Sequence, residues 1–359
     1  MSRNTRPHLT RPPLKLAGAL LFSSLLFICG NAWAAGYKVV ELVTLMQGHP
    51  ATAHGPNLVG TGVGGGVVIG SRVVGRPQAL LLVNGAFQGI AGLPNSDYTL
   101  GFGINDAGAV VGSSNTATAV RGFFTSRSGN ARELPPLPGD TGSTAFAVNN
   151  SSEAVGFSSG PAGEHAVIWR ANGATIALQN EPGTMERALA INDRSDIAGV
   201  VDNSGSRVAV VWRRAGPLQA LDMLPQFILS EPSAINSAGD VVGFSQNLAG
   251  ERRATLWPAN GGAINLGTFP GGSFSQAFGI NNRGDVVGTS GSNAGNRAFI
   301  WTAAAGFKDL NSLIGPSSFV LTAAVGINNA GMIIATGHDA GVETHEEHEA
   351  PIRVFLLKP

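Results

Sequence analysis

Gly103-Ile104-Asn105-Asp106-Ala107-Gly108-Ala109-Val110-Val111-Gly112 joins two apolar runs through a tight polar turn. The phrase returns as Ala147-Val148-Asn149 with Val155-Gly156, and as Ala190-Ile191-Asn192 with Ile197-Ala198-Gly199. It appears again as Ala234-Ile235-Asn236 with Val241-Val242-Gly243, then as Gly279-Ile280-Asn281 with Val286-Val287-Gly288. The last copy is Gly326-Ile327-Asn328 with Ile333-Ile334. The asparagines stand at 105, 149, 192, 236, 281 and 328, at steps of 44, 43, 44, 45 and 47. Gly62-Val63 with Val67-Val68-Ile69-Gly70 fits one step earlier as a first copy that has lost the Asn, which makes seven. A fixed period of this length signals a repeat architecture.

Each unit reads as four short strands, a to d. Strand a ends in the Ile-Asn pair, and strand b is the Val-Val-Gly run. Strand c carries Ala-x-x-Trp, as in 166–169, 209–212, 254–257 and 298–301. Strand d is Leu-centred, as in Asn265-Leu266-Gly267 and Asp309-Leu310-Asn311. Short β-branched and aromatic runs bounded by Gly and Asn are strand signals, and no 3.6-residue periodicity persists. Four strands in about 44 residues fit a propeller blade. The predicted fold is therefore all-β: one seven-bladed β-propeller of four-stranded blades over residues 35–359. The ends agree with it. Tyr37–Leu42 reads as a lone strand d and Ile352–Leu357 as a strand c with nothing after it. Pairing them would complete the seventh blade and cover two open edges.

Composition is consistent with short strands and many turns: 50 Gly, 13% charged and 43% hydrophobic residues. Residues 1–34 stand apart. Arg3, Arg6, Arg11 and Lys15 precede an uncharged apolar run from Leu16 to Ile28, and Ala32-Trp33-Ala34 supplies a small-x-small cleavage pattern. This reads as a secretory signal peptide cut after Ala34, which predicts a secreted or periplasmic protein. A lipoprotein signal using Cys29 is the rival reading, and bulky Ile28 just before it argues against that. Cleavage removes the only cysteine and leaves 19 Lys+Arg against 23 Asp+Glu, a net charge of about −4. A net negative chain without clustered basic residues is not built for nucleic acid. No later apolar stretch is long enough for an integral membrane segment.

The phrases Ala-Phe-Gly-Ile-Asn-Asn-x-Gly-Asp-Val-Val-Gly (277–288) and Arg-Ala-Phe-Ile-Trp (297–301) resemble the HAF repeats of bacterial extracellular proteins. The name-giving His survives once, at His165-Ala166-Val167, with Arg at most equivalent positions. The resemblance covers nearly the whole mature chain. It implies secretion and a repeat architecture, and it brings no catalytic residues.

In such a ring the a–b and c–d turns lie on one face and the b–c and d–a loops on the other. The second set varies most, over 46–57, 93–100, 180–187, 224–232 and 336–350. Variable loops on a rigid scaffold are where binding evolves, so a site is expected on that face. His49 and His54 fall in the first of these loops. His338, His345, His348, Glu346 and Glu347 fall in the last, and ring closure would bring the two loops together. Imidazole with carboxylate is a ligand set for zinc and similar metals, so a divalent metal is the cofactor this cluster would hold. The spacing is not that of the helical zinc proteases. A solvated acidic loop with incidental histidines is the plainer reading.

The repeated Asn reads as a structural turn residue that accepts turn amides. Calcium would need more carboxylates than Asp106, Asp193, Asp196, Asp240 and Asp285 supply in any one copy. Trp169, Trp212, Trp257 and Trp301 recur at one register, which suits packing between blades better than sugar stacking. Gly-Thr-Gly-Val-Gly-Gly-Gly (60–66) has no Lys-Ser/Thr after it and is not a phosphate loop. No Ser-His-Asp set can be assembled from the sequence. The function expected is a monomeric, non-catalytic binding or scaffold protein for a carbohydrate or a surface protein. The alternative is a metal-dependent hydrolase or lyase built on loops 46–57 and 336–350.

Overall fold

Every Ile-Asn turn of the repeat closes a hairpin. In a computed structural model the residues described are 36–45, 52–54, 62–66, 78–83, 86–127, 129–178, 184–203, 205–214, 216–341 and 352–359. They form seven four-stranded antiparallel sheets. The second sheet is representative: Tyr98–Ile104, Val110–Asn115, Val120–Thr125 and Arg132–Leu134, each hydrogen-bonded to the next. The innermost strands of the seven sheets are Thr52–His54, Tyr98–Ile104, Gly142–Val148, Met185–Ile191, Leu229–Ile235, Ser275–Ile280 and Phe319–Ile327. In the a–b turn Gly108 takes φ +79° and donates its N–H to Asn105 O at 3.0 Å. Ser152 and Ser195 hold the same position at φ +60° and +64°, a conformation glycine adopts at lower cost.

Strand a carries a β-bulge in every sheet from the second to the seventh. In the second, Gly101 pairs with Gly112 and Gly103 with Val111, leaving Phe102 as the extra residue. Shifts at 145/147, 188/190, 232/234, 277/279 and 324/326 repeat the pattern. The bulge accounts for the glycine of Val-Val-Gly. A Cβ on Gly112 would stand 1.8 Å from Leu100 O, and one on Gly243 would stand 2.0 Å from Glu231 O. The kinked inner strand presses a carbonyl onto its neighbour, and only a residue without a side chain fits there.

The core lies between sheets. One cluster joins Val111 and Leu134 of the second sheet to Ala145, Val148, Ala154, Val167 and Trp169 of the third, and the pattern recurs around the array. Trp169 and Trp257 are fully buried. Their indole N–H groups donate to Pro135 O at 2.8 Å and Asp222 O at 2.7 Å, each just after strand d of the preceding sheet. The packing reading of these residues therefore holds, and Trp301 sits half-buried on the same pattern. Inner-strand serines add a second link: Ser143, Ser230 and Ser275 accept the N–H groups of Gly122, Ala209 and Ala254 in strand c of the sheet before.

The seventh sheet contains both ends of the described chain. Its order is Phe319–Ile327, Ile333–Asp339, Ile352–Lys358, Lys38–Leu45. Lys38 lies opposite Lys358 and Leu45 opposite Ile352, with a bulge between Glu41 and Val43. Arg353 donates from Nε to Glu41 across this seam at 2.9 Å.

Three details differ from the sequence reading. In the first sheet strand a is Thr52–His54 and strand b is Gly62–Gly66. The expected b run, 67–70, lies outside the described residues; without an Asn in this copy nothing in the sequence anchors the register. His54 therefore belongs to a strand and not to a d–a loop. His338 likewise falls within Ile333–Asp339 and not in the following loop. Asp309-Leu310-Asn311 does not make strand d. That strand is Gly306–Asp309, and Leu310–Leu313 turns into a 3₁₀ helix whose first turn the Asp309 carboxylate caps. Among the described residues no helix is long and apolar enough to cross a membrane.

Candidate functional site

The bulge decides what the inner strands show to the axis they surround. The extra residues Phe102, Phe146, Leu189, Ser233, Phe278 and Val325 line a central cavity of about 550 Å³. Toward the a–b turns it narrows at a ring of apolar side chains: Ile104, Val148, Ile191, Ile235, Ile280 and Ile327. These also bound a smaller cavity of about 190 Å³ on the turn side. Positions between the two rings hold Gly or Ala because neighbouring inner strands nearly touch. A Cβ on Gly103 would lie 2.8 Å from Phe146 O of the next sheet.

The turn-side mouth is a polar collar, and the repeated Asn builds it. Oδ1 of each Asn accepts amides of its own turn. Asn192 Oδ1 takes Arg194 N at 3.0 Å and Asp196 N at 2.9 Å. Nδ2 reaches the next sheet: Asn105 donates to Asn149 O (3.0 Å), Asn149 to Asn192 O (3.3 Å) and Asn192 to Asn236 O (2.9 Å). Asn236 and Asn281 continue to Asn281 O and Asn328 O, both at 3.3 Å. The following residue forms a second, exposed collar. Asn150 Oδ1 accepts Asp106 N, Asp193 Oδ1 accepts Asn150 N, Asn282 Oδ1 accepts Ser237 N, and Asn329 Oδ1 accepts Asn282 N. The turn reading of these asparagines was right but incomplete, since each one also fastens its sheet to the next. Glu153 in the third turn belongs to this network. Burial pushes its carboxyl up, but hydrogen bonds from Ser195, Asn149 and Arg170 outweigh that and hold it below the usual carboxylate range.

On the opposite, loop-bearing face the channel rim carries the charge. Glu231 lines both the central cavity and a pocket of about 570 Å³ on that face, whose other polar walls are Asp202, Arg207, Gln246, Arg252 and Gln276. Arg207 holds Glu231 at 2.8 Å, and Arg252 lies over the Phe244 ring at 4.8 Å from its centroid. One sheet back, Arg187 forks onto Glu164 and stacks over Phe157. The hydrogen bonds and ion pair with Glu164 raise the Arg187 pKa, with burial opposing them. The residue at the HAF His position serves the same face. Arg121 and Arg253 donate to Thr141 O and Ser273 O of the following d–a loops, and His165 Nδ1 lies 3.3 Å from Asp140. Ser158 donates to the same Asp140 oxygen at 2.6 Å. Serine and histidine therefore both address the acid and not each other, which is not a nucleophile arrangement.

Of the candidate metal ligands, His49, His345, His348, Glu346 and Glu347 lie outside the described residues. His54 is placed by backbone alone, in Thr52–His54. His338 is half-buried and its Nδ1 sits 2.9 Å from Asp339 O, while Asp339 is engaged by Arg353. The bulge residues and the rim around Glu231 were not singled out in the sequence. Their signal was the residue before Gly/Ala-Ile-Asn in each copy, which drifts from Phe to Leu, Ser and Val while its neighbours stay fixed.

No protein-family model matches the chain, and no curated protein matches it. Among solved structures it is similar to the β-propeller domain of the Trilobed protease from Pyrococcus furiosus, with a TM-score of 0.52 and 10% identity over 85% of this chain and 93% of that one. It is also similar to the acylaminoacyl peptidase of Pyrococcus horikoshii, with a TM-score of 0.52 and 11% identity over 85% of this chain and 51% of that one. TolB from Acinetobacter baumannii matches at a TM-score of 0.48 and 12% identity over 64% of this chain. The chain spans 58% of the TolB chain and about half of the peptidase. At these identities the likeness defines the fold alone, and that fold is the β-propeller.

Proposed function

We propose that the chain is an exported, monomeric, non-catalytic binding protein. Residues 1–34 are removed, and residues 35–359 form a single seven-bladed propeller of HAF-like repeats. The ring is sealed by its own ends, Lys38–Leu45 against Ile352–Lys358. The seven residue pairs of that seam and the Arg353–Glu41 bond across it support this. The binding surface is the b–c/d–a face. The observation that carries the reading is the pocket beside the channel rim, where two carboxylates, two guanidiniums and two carboxamides face one space of about 570 Å³. Planar, fork-shaped polar groups of this kind pair with vicinal hydroxyls, so a polysaccharide is the ligand class that fits best. None of these groups is arranged as a nucleophile with a base, which is why binding and not turnover is proposed.

A glycan array with the mature chain tests this. Binding to at least one glycan class is expected, with at least tenfold loss in an Arg207→Ala, Gln276→Ala double variant that retains the wild-type circular dichroism. Absence of binding across diverse glycans, with capture of a purified envelope protein instead, would replace the carbohydrate reading with a protein partner.

A further inference from the structure

The central cavity has a chemistry that the polar face pocket does not share. Phe102, Phe146 and Phe278 stand half-buried around it, each placed there by the bulge of its strand. Phe102 and Phe146 lie 5.7 Å apart between ring centroids at 51°, and Phe146 continues to Phe157 at 5.7 Å and 40°. These rings meet at tilted angles, and Phe102, Phe146 and Phe278 all remain half-buried where they line the cavity. Half-exposed phenyl groups lining a concave space resemble a ligand site more than a finished core. Among the described residues, the polar side chains of the lining are Glu231 and Ser233 of the fifth sheet, with the Glu231 carboxylate anchored by Arg207. Its turn-side end is bounded by the apolar ring of Ile104, Val148, Ile191, Ile235, Ile280 and Ile327, with the asparagine collar beyond it. A volume of about 550 Å³ lies within the range of small-molecule sites.

The geometry points to a second binding site, on the propeller axis, for a small ring-bearing apolar molecule that carries one hydrogen-bond donor. Its ring body packs on Phe102, Phe146 and Phe278, and its hydroxyl or N–H points to the Glu231–Ser233 sector. Burying aromatic faces supplies the affinity, and the Glu231–Ser233 sector fixes the orientation. This site goes beyond the glycan-binding reading and does not depend on it.

The test uses the mature chain and the neutral probe N-phenyl-1-naphthylamine, which has two aromatic units and one N–H. Saturable fluorescence enhancement with one probe per chain is expected. Ser233→Phe and Val325→Phe each fill the cavity from a different side, and each is expected to weaken the probe at least tenfold. Leu248→Ala removes a side chain that is 87% exposed on the loop face and is expected to change nothing. Whichever filling variant keeps the wild-type unfolding temperature decides the matter. Should neither do so, Phe146→Ala takes its place, with an expected fivefold or greater loss. Absence of saturable binding, or binding that persists in the stable variant, overturns the axial site. The glycan array is run on the same filled variant, so loss of probe with glycan binding intact separates the two sites.

Discussion

Asn192→Ala removes one link of the asparagine collar. Of its four bonds, the one from Nδ2 to the Asp196 carboxylate adds nothing to the cost, since Arg194 and Arg213 still hold that carboxylate, and the other three set it. The amide of Asp196 is buried and has Asn192 Oδ1 as its acceptor at 2.9 Å. Leaving it without one costs about 2 kcal/mol. The Arg194 amide lies in the turn and rehydrates, so its bond contributes about 0.5 kcal/mol. Asn236 O keeps the Gly239 amide as a partner, so loss of the bond between sheets adds about another 0.5 kcal/mol. The expected destabilisation is therefore about 3 kcal/mol, a fall in Tm on the order of 5 °C for a chain of this size. Asn192→Asp keeps the acceptor and replaces the donor with a carboxylate oxygen aimed at Asn236 O and at Asp196. It should equal the alanine variant at pH 8 and recover toward wild type near pH 4.5, as the new acid gains a proton. Differential scanning calorimetry reads all three proteins. An alanine variant within 1 °C of wild type, or an aspartate variant as stable as wild type at pH 8, would show that the collar does not hold the sheets together.

The outer collar has a gap where Ser237 is too short to reach the Asp193 amide as Asn150, Asn282 and Asn329 reach theirs; Ser237→Asn should raise Tm by 1–2 °C, for about 1 kcal/mol gained. Gly243→Ala pushes a methyl group to 2.0 Å from Glu231 O, so the bulge must shift. The expected cost is about 3 kcal/mol in urea unfolding, whereas Gly173→Ala, with nothing near its Cβ, loses less despite its positive φ. The Glu153 carboxyl is depressed in the folded protein, so its contribution is complete above the ordinary carboxylate pKa and is lost as pH falls through the lower folded value. Glu153→Gln should therefore lower Tm at pH 7 and converge with wild type in acid, as thermal scans between pH 7 and pH 3 would reveal.

Much of the ring was legible because its physics repeats. The Asn turn and the apolar strand after it recur in six copies and the strand-c Trp in four, so each assignment rests on several independent copies. The reasons behind the pattern were less visible. The glycine at 112, 156, 199, 243 and 288 is legible as part of strand b, but its cause, a carbonyl driven in by the bulge opposite, is not. A bulge leaves no mark in composition, so the residues it turns toward the axis looked like ordinary strand positions. Serines 143, 230 and 275 tie one sheet to another, but serine is common enough here that their spacing drew no notice. The first copy lacks its Asn, and there the strand register was misread. The histidine cluster was argued from loop proximity, and Thr52–His54 and Ile333–Asp339 show two of those positions to be strand, where neighbours are fixed by pairing.

The proposed closure of the ring is tested most directly by hydrogen exchange on a chain spanning residues 35–359. Those amides of Val39–Thr44 that face Ile352–Lys358 should be protected as strongly as the paired amides of Gly306–Asp309, the outermost strand of a single continuous blade. Exchange of Val39–Thr44 at the rate of an unstructured segment, with the other blades protected, would contradict closure by the two ends.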